Sequence, residues 1–154
     1  MVPAADEPAL EYLVFSQRTE TSMDVDAWAA QAIRFFGTRL ETSSRNDRIV
    51  LVPAARARAE RRLSARARTD EDLTLADAAE VRARGGGLAA LARRCPTVWR
   101  VVRETDPDPL ALRLAAILAS VLLGPIVDPA GPDIFGVKTA RERLSGEWPA
   151  TPDR

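Results

Sequence analysis

The sequence predicts an α+β domain dominated by helices, in which a small sheet of two strands or more from the N-terminal third packs against a helical remainder. Three observations point there. Glu11–Gln17 and Arg48–Val52 are short runs of aromatic and β-branched residues within the first 53 positions, which is strand composition. Between them Val25, Trp28, Ala29, Ala32, Phe36 and Leu40 follow the three-and-four spacing of one helical face. Beyond Pro53 alanine, leucine and arginine predominate, and all three favour helix.

The chain has 154 residues, 46% hydrophobic and 29% charged, which is the size and composition of one folded domain. Residues 1–9 read as a loose leader, 10–148 as a single globular domain and 149–154 as a frayed tail. Ser22 or Asp24 can cap the helix that starts at Val25. The polar stretch TSSRND ends that pattern, and the strand at Arg48–Val52 closes at Pro53. Two strands flanking a helix fit a parallel crossover or an antiparallel pair equally well.

Pro53–Arg68 is dominated by alanine and arginine and reads as a helix. Thr69 then caps a second helix whose first turn holds Asp70, Glu71 and Asp72, where acids favour the helix dipole. Gly85-Gly86-Gly87 interrupts it. Leu88–Glu104 resumes helical character with a break at Pro96. Asp106-Pro107-Asp108-Pro109 opens a helix that runs to Leu123 and stops at Gly124-Pro125. Pro125–Gly136, rich in proline and glycine, reads as a loop, and Val137–Leu144 as a final helix leading into Trp148.

Composition removes several kinds of chemistry. The chain has no histidine and one cysteine, Cys95. A Cys/His zinc site within one chain, and nucleophiles activated by histidine, are therefore excluded. Lysine plus arginine equals aspartate plus glutamate at 22 each, so the whole surface is not tuned to a polyanion. The acidic N-terminus lacks the basic and apolar regions of a signal peptide. The apolar stretch Leu110–Leu123 extends roughly 21 Å as a helix, short of a hydrocarbon layer of roughly 30 Å. A cytoplasmic location with no membrane contact is expected.

Four features remain as candidates. Arg45–Arg68 holds eight arginines against Asp47 and Glu60, and on a helix Arg58, Arg61, Arg62 and Arg66 would share one face. The following acidic segment can neutralise that face. The close pairs Asp70/Asp72, Asp106/Asp108 and Asp128/Asp133 have the chemistry to hold Mg²⁺ and equally fit turns and caps. Cys95 beside Arg93 and Arg94 is either a reactive thiol or a small core residue. Phe35 lies about 100° round the helix from Phe36, so one of the two is exposed.

The function expected from these features is that of a non-enzymatic, intracellular protein-binding module, an adaptor, regulator or inhibitor. Arg58, Arg61, Arg62, Arg66, Phe35 and Trp148 are its interface candidates. The alternative is a nucleic-acid-binding accessory protein that uses an arginine-rich helix at residues 56–68. The third reading is a carboxylate-only, Mg-dependent enzyme. No catalytic residue, metal ligand or cofactor is assigned; another protein is the expected partner, nucleic acid is the alternative, and a homo-oligomer is compatible.

Overall fold

A computed structural model describes residues 10–43, 47–53, 58–83 and 86–147. The predicted leader, the tail and Trp148 lie outside them. The chain order is β1 (Glu11–Ser16), α1 (Val25–Phe36), β2 (Thr38–Thr42), β3 (Arg48–Pro53), β4 (Ala59–Ala67), α2 (Asp70–Arg82), α3 (Leu88–Arg93), β5 (Thr97–Val102), α4 (Pro109–Leu122), β6 (Ile126–Asp128), β7 (Asp133–Phe135) and α5 (Val137–Glu147). The strands form one seven-stranded sheet in the order β2-β3-β4-β5-β1-β6-β7. Every neighbouring pair is antiparallel.

This overturns the helix-dominated expectation. Of the described residues 43% are helical and 30% are in strands, and the sheet runs almost the length of the chain. β1 and β3 are not neighbours, because β4 and β5 lie between them. In place of the predicted helix at 56–68 stands the strand β4, Ala59–Ala67. The predicted helix at Leu88–Glu104 is a short helix followed by the central strand β5. The predicted loop at Pro125–Gly136 contains the hairpin β6–β7.

Each miss has a physical cause. Alanine and arginine favour helix in isolation, but tertiary packing overrides propensity. Side chains alternate along β4, so that Leu63 and Ala65 join the larger core and Arg61 reaches the start of α4 on that side. Glu60, Arg62, Ser64 and Arg66 take the other face. In β5, Thr97-Val98-Trp99-Arg100-Val101-Val102 is β-branched and aromatic, a composition that packs well on a pleated surface. Gly37 adopts the left-handed conformation at φ 59° and ends α1 at Phe36. Leu40, expected on the helix, therefore lies in β2, still buried.

Helices cover the sheet on both faces. α1, α4 and α5 pack on the face that presents Tyr12, Val14, Leu51, Leu63, Trp99 and Val101. Trp28 of α1 meets Trp99 edge to face, with ring centroids 5.1 Å apart. α2 and α3 pack on the other face, over Leu13, Phe15, Val98, Val127 and Ile134. That second core does not extend to β2, β3 or β4, whose outer surface carries Arg39, Glu41, Glu60 and Arg62 instead.

α4 is the central helix. Asp108 caps its N-terminus by accepting the Ala111 N–H, and Pro109 occupies the first turn. Nine of its residues are buried, which explains why the sequence reads as apolar throughout. Among the described residues no helix is long and apolar enough to cross a membrane.

Candidate functional site

The arginines singled out from the sequence do not form one face. Side chains alternate along a strand, so β4 sends Arg61 to one side of the sheet and Arg62 and Arg66 to the other. Arg61 reaches the start of α4, where its Nε and one terminal nitrogen donate to the two Asp108 oxygens at 2.9 and 3.0 Å. Asp108 also accepts the Glu104 and Ala111 N–H groups, and its side chain is 1% exposed. Burial raises the pKa of that carboxyl, but the Arg61 guanidinium and the two N–H donors outweigh it and hold the group below its ordinary value.

Arg66 makes the equivalent clamp on the opposite face. Its two terminal nitrogens donate to Asp72 at 2.5 and 2.8 Å, while Asp72 accepts the Thr69 N–H in a capping box at the start of α2. Burial again pushes this carboxyl up, and Arg66 and Thr69 bring it down past the ordinary value. Arg58 pairs with Glu41 at 2.6 Å on the surface. Arg62 is exposed, lies in register with Arg48, and has no carboxylate partner among the described residues.

The carboxylate pairs are drawn into the same kind of work. Asp108, the cap of α4, and Asp72, which completes the capping box at Thr69, are both held by arginine. Asp128 and Asp133 face each other across β6 and β7, Asp128 paired with Arg103 at 2.5 Å and Asp133 with Arg143 at 2.7 Å. Among the described residues no group of three metal-ligating side chains comes together. Cys95 is buried, and its thiol donates to the Leu91 carbonyl. Desolvation pushes its pKa up to about 11 against the smaller opposing pull of Arg68 and Arg94. The group is therefore a protonated core residue at neutral pH, and the reactive-thiol option is withdrawn.

The feature with the shape of a binding site lies elsewhere, where α1, α3, α5 and the end of α4 meet. A cleft of about 550 Å³ opens there. Phe35 and Phe36 of α1, Leu88 and Leu91 of α3, Leu123 and Val137 supply its apolar walls. Its polar groups are few: Gln31, whose amide lies near Ser120, and Arg141 of α5. Phe35 is 41% exposed and Leu123 is 61% exposed.

The backbone at Leu123 explains how that leucine comes to face solvent. α4 ends with Leu123 in the left-handed conformation, φ 61° and ψ 42°, among the described residues the one non-glycine with positive φ. An L-residue there costs roughly 1–2 kcal/mol, and glycine is the usual occupant. Gly124 follows and has no freedom, because a Cβ on it would enter the Phe15 carbonyl. The Phe15 and Gln17 N–H groups bond to the Pro125 and Leu122 carbonyls, and the Gln17 amide to the Leu123 carbonyl. The corner is thus fixed to the end of β1 while the leucine side chain projects outward.

Of the sequence candidates, Phe35 alone lies in this cleft. Arg61 and Arg66 are consumed in buried clamps, Arg58 and Arg62 lie on or beside the uncovered sheet face, and Trp148 is outside the described residues. Leu88, Leu91, Leu123 and Val137 were missed. The one legible signal was leucine rather than glycine at the end of a helix, directly before Gly124-Pro125. No protein-family model, curated protein or solved structure matches the chain.

Proposed function

We propose that this protein is a non-enzymatic binding module that receives another protein in the apolar cleft between α1, α3, α4 and α5. The observation that carries the reading is the exposure of Phe35 and Leu123 at the mouth of the cleft, with Leu123 held in a conformation that a leucine adopts at a cost. Strained, exposed apolar residues on a rigid corner are what an interface retains and what a solvated surface does not need. Exposed aromatic and aliphatic anchors in a pocket are the usual centres of interface energy.

Leu123→Asp is the discriminating variant. Aspartate tolerates the left-handed conformation better than leucine, so the fold is retained, while a charge enters the apolar mouth. A protein recovered in stoichiometric amount from native extract by the wild type should survive nuclease and be lost with Leu123→Asp. Recovery unchanged by Leu123→Asp would remove the cleft as the binding surface. Recovery abolished by nuclease would favour the nucleic-acid reading, through the uncovered face of β3 and β4 rather than a helix at 56–68. On that face Glu41 and Glu60 lie among the arginines, which weakens attraction to phosphate.

A further inference from the structure

Resting on the cleft as the binding surface, we infer that the segment it receives is an amphipathic helix with acidic residues flanking its apolar stripe. Two observations lead there, one about the walls and one about the charges at the mouth.

The walls consist of side chains from helices and of the α4–β6 and β7–α5 corners. β6, the strand that starts beside the cleft, is hydrogen-bonded on both sides, to β1 and to β7. An extended peptide entering here would find few partners for its own N–H and C=O groups beyond Gln31, Ser120 and Arg141, and unpaired buried backbone groups are costly. A helix satisfies those groups internally and presents apolar side chains at three-and-four spacing to such a groove.

The charged groups that line the cleft or lie over its aromatic rings are all cationic. On the open sheet face, with Arg62 the exception, Arg39, Arg58 and Arg100 each hold a carboxylate. The cations around the cleft do not. Arg34 lies over the Phe35 ring at 5.1 Å and Arg141 over the Phe36 ring at 5.6 Å, and Lys138 is exposed one turn from Arg141 on α5. None of the three is ion-paired among the described residues and no carboxylate lines the cleft, although Glu142 lies beside Lys138 and Arg141 on the outer side of α5. Each is free to meet an anionic group beside the apolar contact. Complementary charge at the rim fixes register and selects partners more than it adds affinity.

Selection from a library of random displayed peptides, each long enough for about four helical turns, tests this without knowledge of the natural partner. Wild-type protein should enrich sequences with apolar residues at i, i+3 or i+4 and i+7 and with net negative charge. Binding of an enriched peptide should weaken about tenfold in Arg141→Glu and fall with added salt, as expected of rim charges. Leu123→Asp should abolish it. Enriched peptides that alternate apolar and polar residues, or that carry net positive charge, would overturn the inference while leaving cleft binding intact if Leu123→Asp still abolishes them. Enrichment that survives Leu123→Asp, or none at all, would overturn both. Competition by a long-chain carboxylate that displaces every peptide and saturates the cleft more tightly would replace the helix with a small amphiphile.

Discussion

Arg61 and Arg62 are adjacent in the chain and share a residue type, yet the fold assigns them opposite weight. Arg61 is the partner of an almost fully buried carboxylate, and removing one member of such a pair leaves an uncompensated charge. Arg61→Ala should lower the unfolding free energy by about 3–5 kcal/mol, whereas Arg62→Ala should lie within about 0.5 kcal/mol of wild type. Urea denaturation of both variants reads the contrast directly. Cys95 offers a second reading at this scale. With its thiol buried and its pKa near 11, a thiol reagent at neutral pH should label it only as fast as the chain opens. Prompt labelling of the native protein would contradict the packing described for it.

The elements most legible from sequence are those whose stabilisation is local. Asp24 and Thr69 cap α1 and α2, and Pro109 starts α4, as the sequence implies. β1 and β3 were also legible, because their β-branched and aromatic residues match a buried strand. β4 was not, since its alternation is written in alanine and arginine, two residues whose intrinsic preference is helical. Arg66 pairs with Asp72, in the acidic segment that the sequence offers as its neutraliser, whereas Arg61 pairs with Asp108, which is distant along the chain and which no local reading finds. The cleft was illegible for the same reason, because its walls come from four separated segments. The α4–β6 corner can be tested as a unit. Gly124→Ala should cost about 3 kcal/mol or more, since the new methyl meets backbone rather than a mobile side chain. Leu123→Gly, one residue earlier, should stabilise by up to about 1 kcal/mol by relieving the left-handed leucine. Thermal melts of the two variants should move in opposite directions.

Across the whole molecule, two buried carboxylates tie β4 to a helix on each side of the sheet, and both have folded-state pKa values below the ordinary range. A depressed carboxyl contributes stability that is present above its unfolded pKa and lost as pH falls through the folded one. The urea midpoint should therefore be insensitive to pH near neutrality, where both groups are ionised and their contribution is fully present, and decline as pH drops below about 4. Asp108→Asn should start lower and show a shallower acid limb. An acid limb as steep as that of wild type would separate Asp108 from the acid response.

Arg61 and Arg66 are five positions apart, an odd number, and that is why one strand holds helices on both sides of the sheet. An even interval would send both guanidinium groups the same way and leave either Asp72 or Asp108 buried without its cation. The interval acts as a parity check on the gene. Substitutions between these arginines can accumulate, but loss or gain of a single codon there reverses a whole face. Lineages of this chain should therefore vary in letters along β4 and hold its length constant.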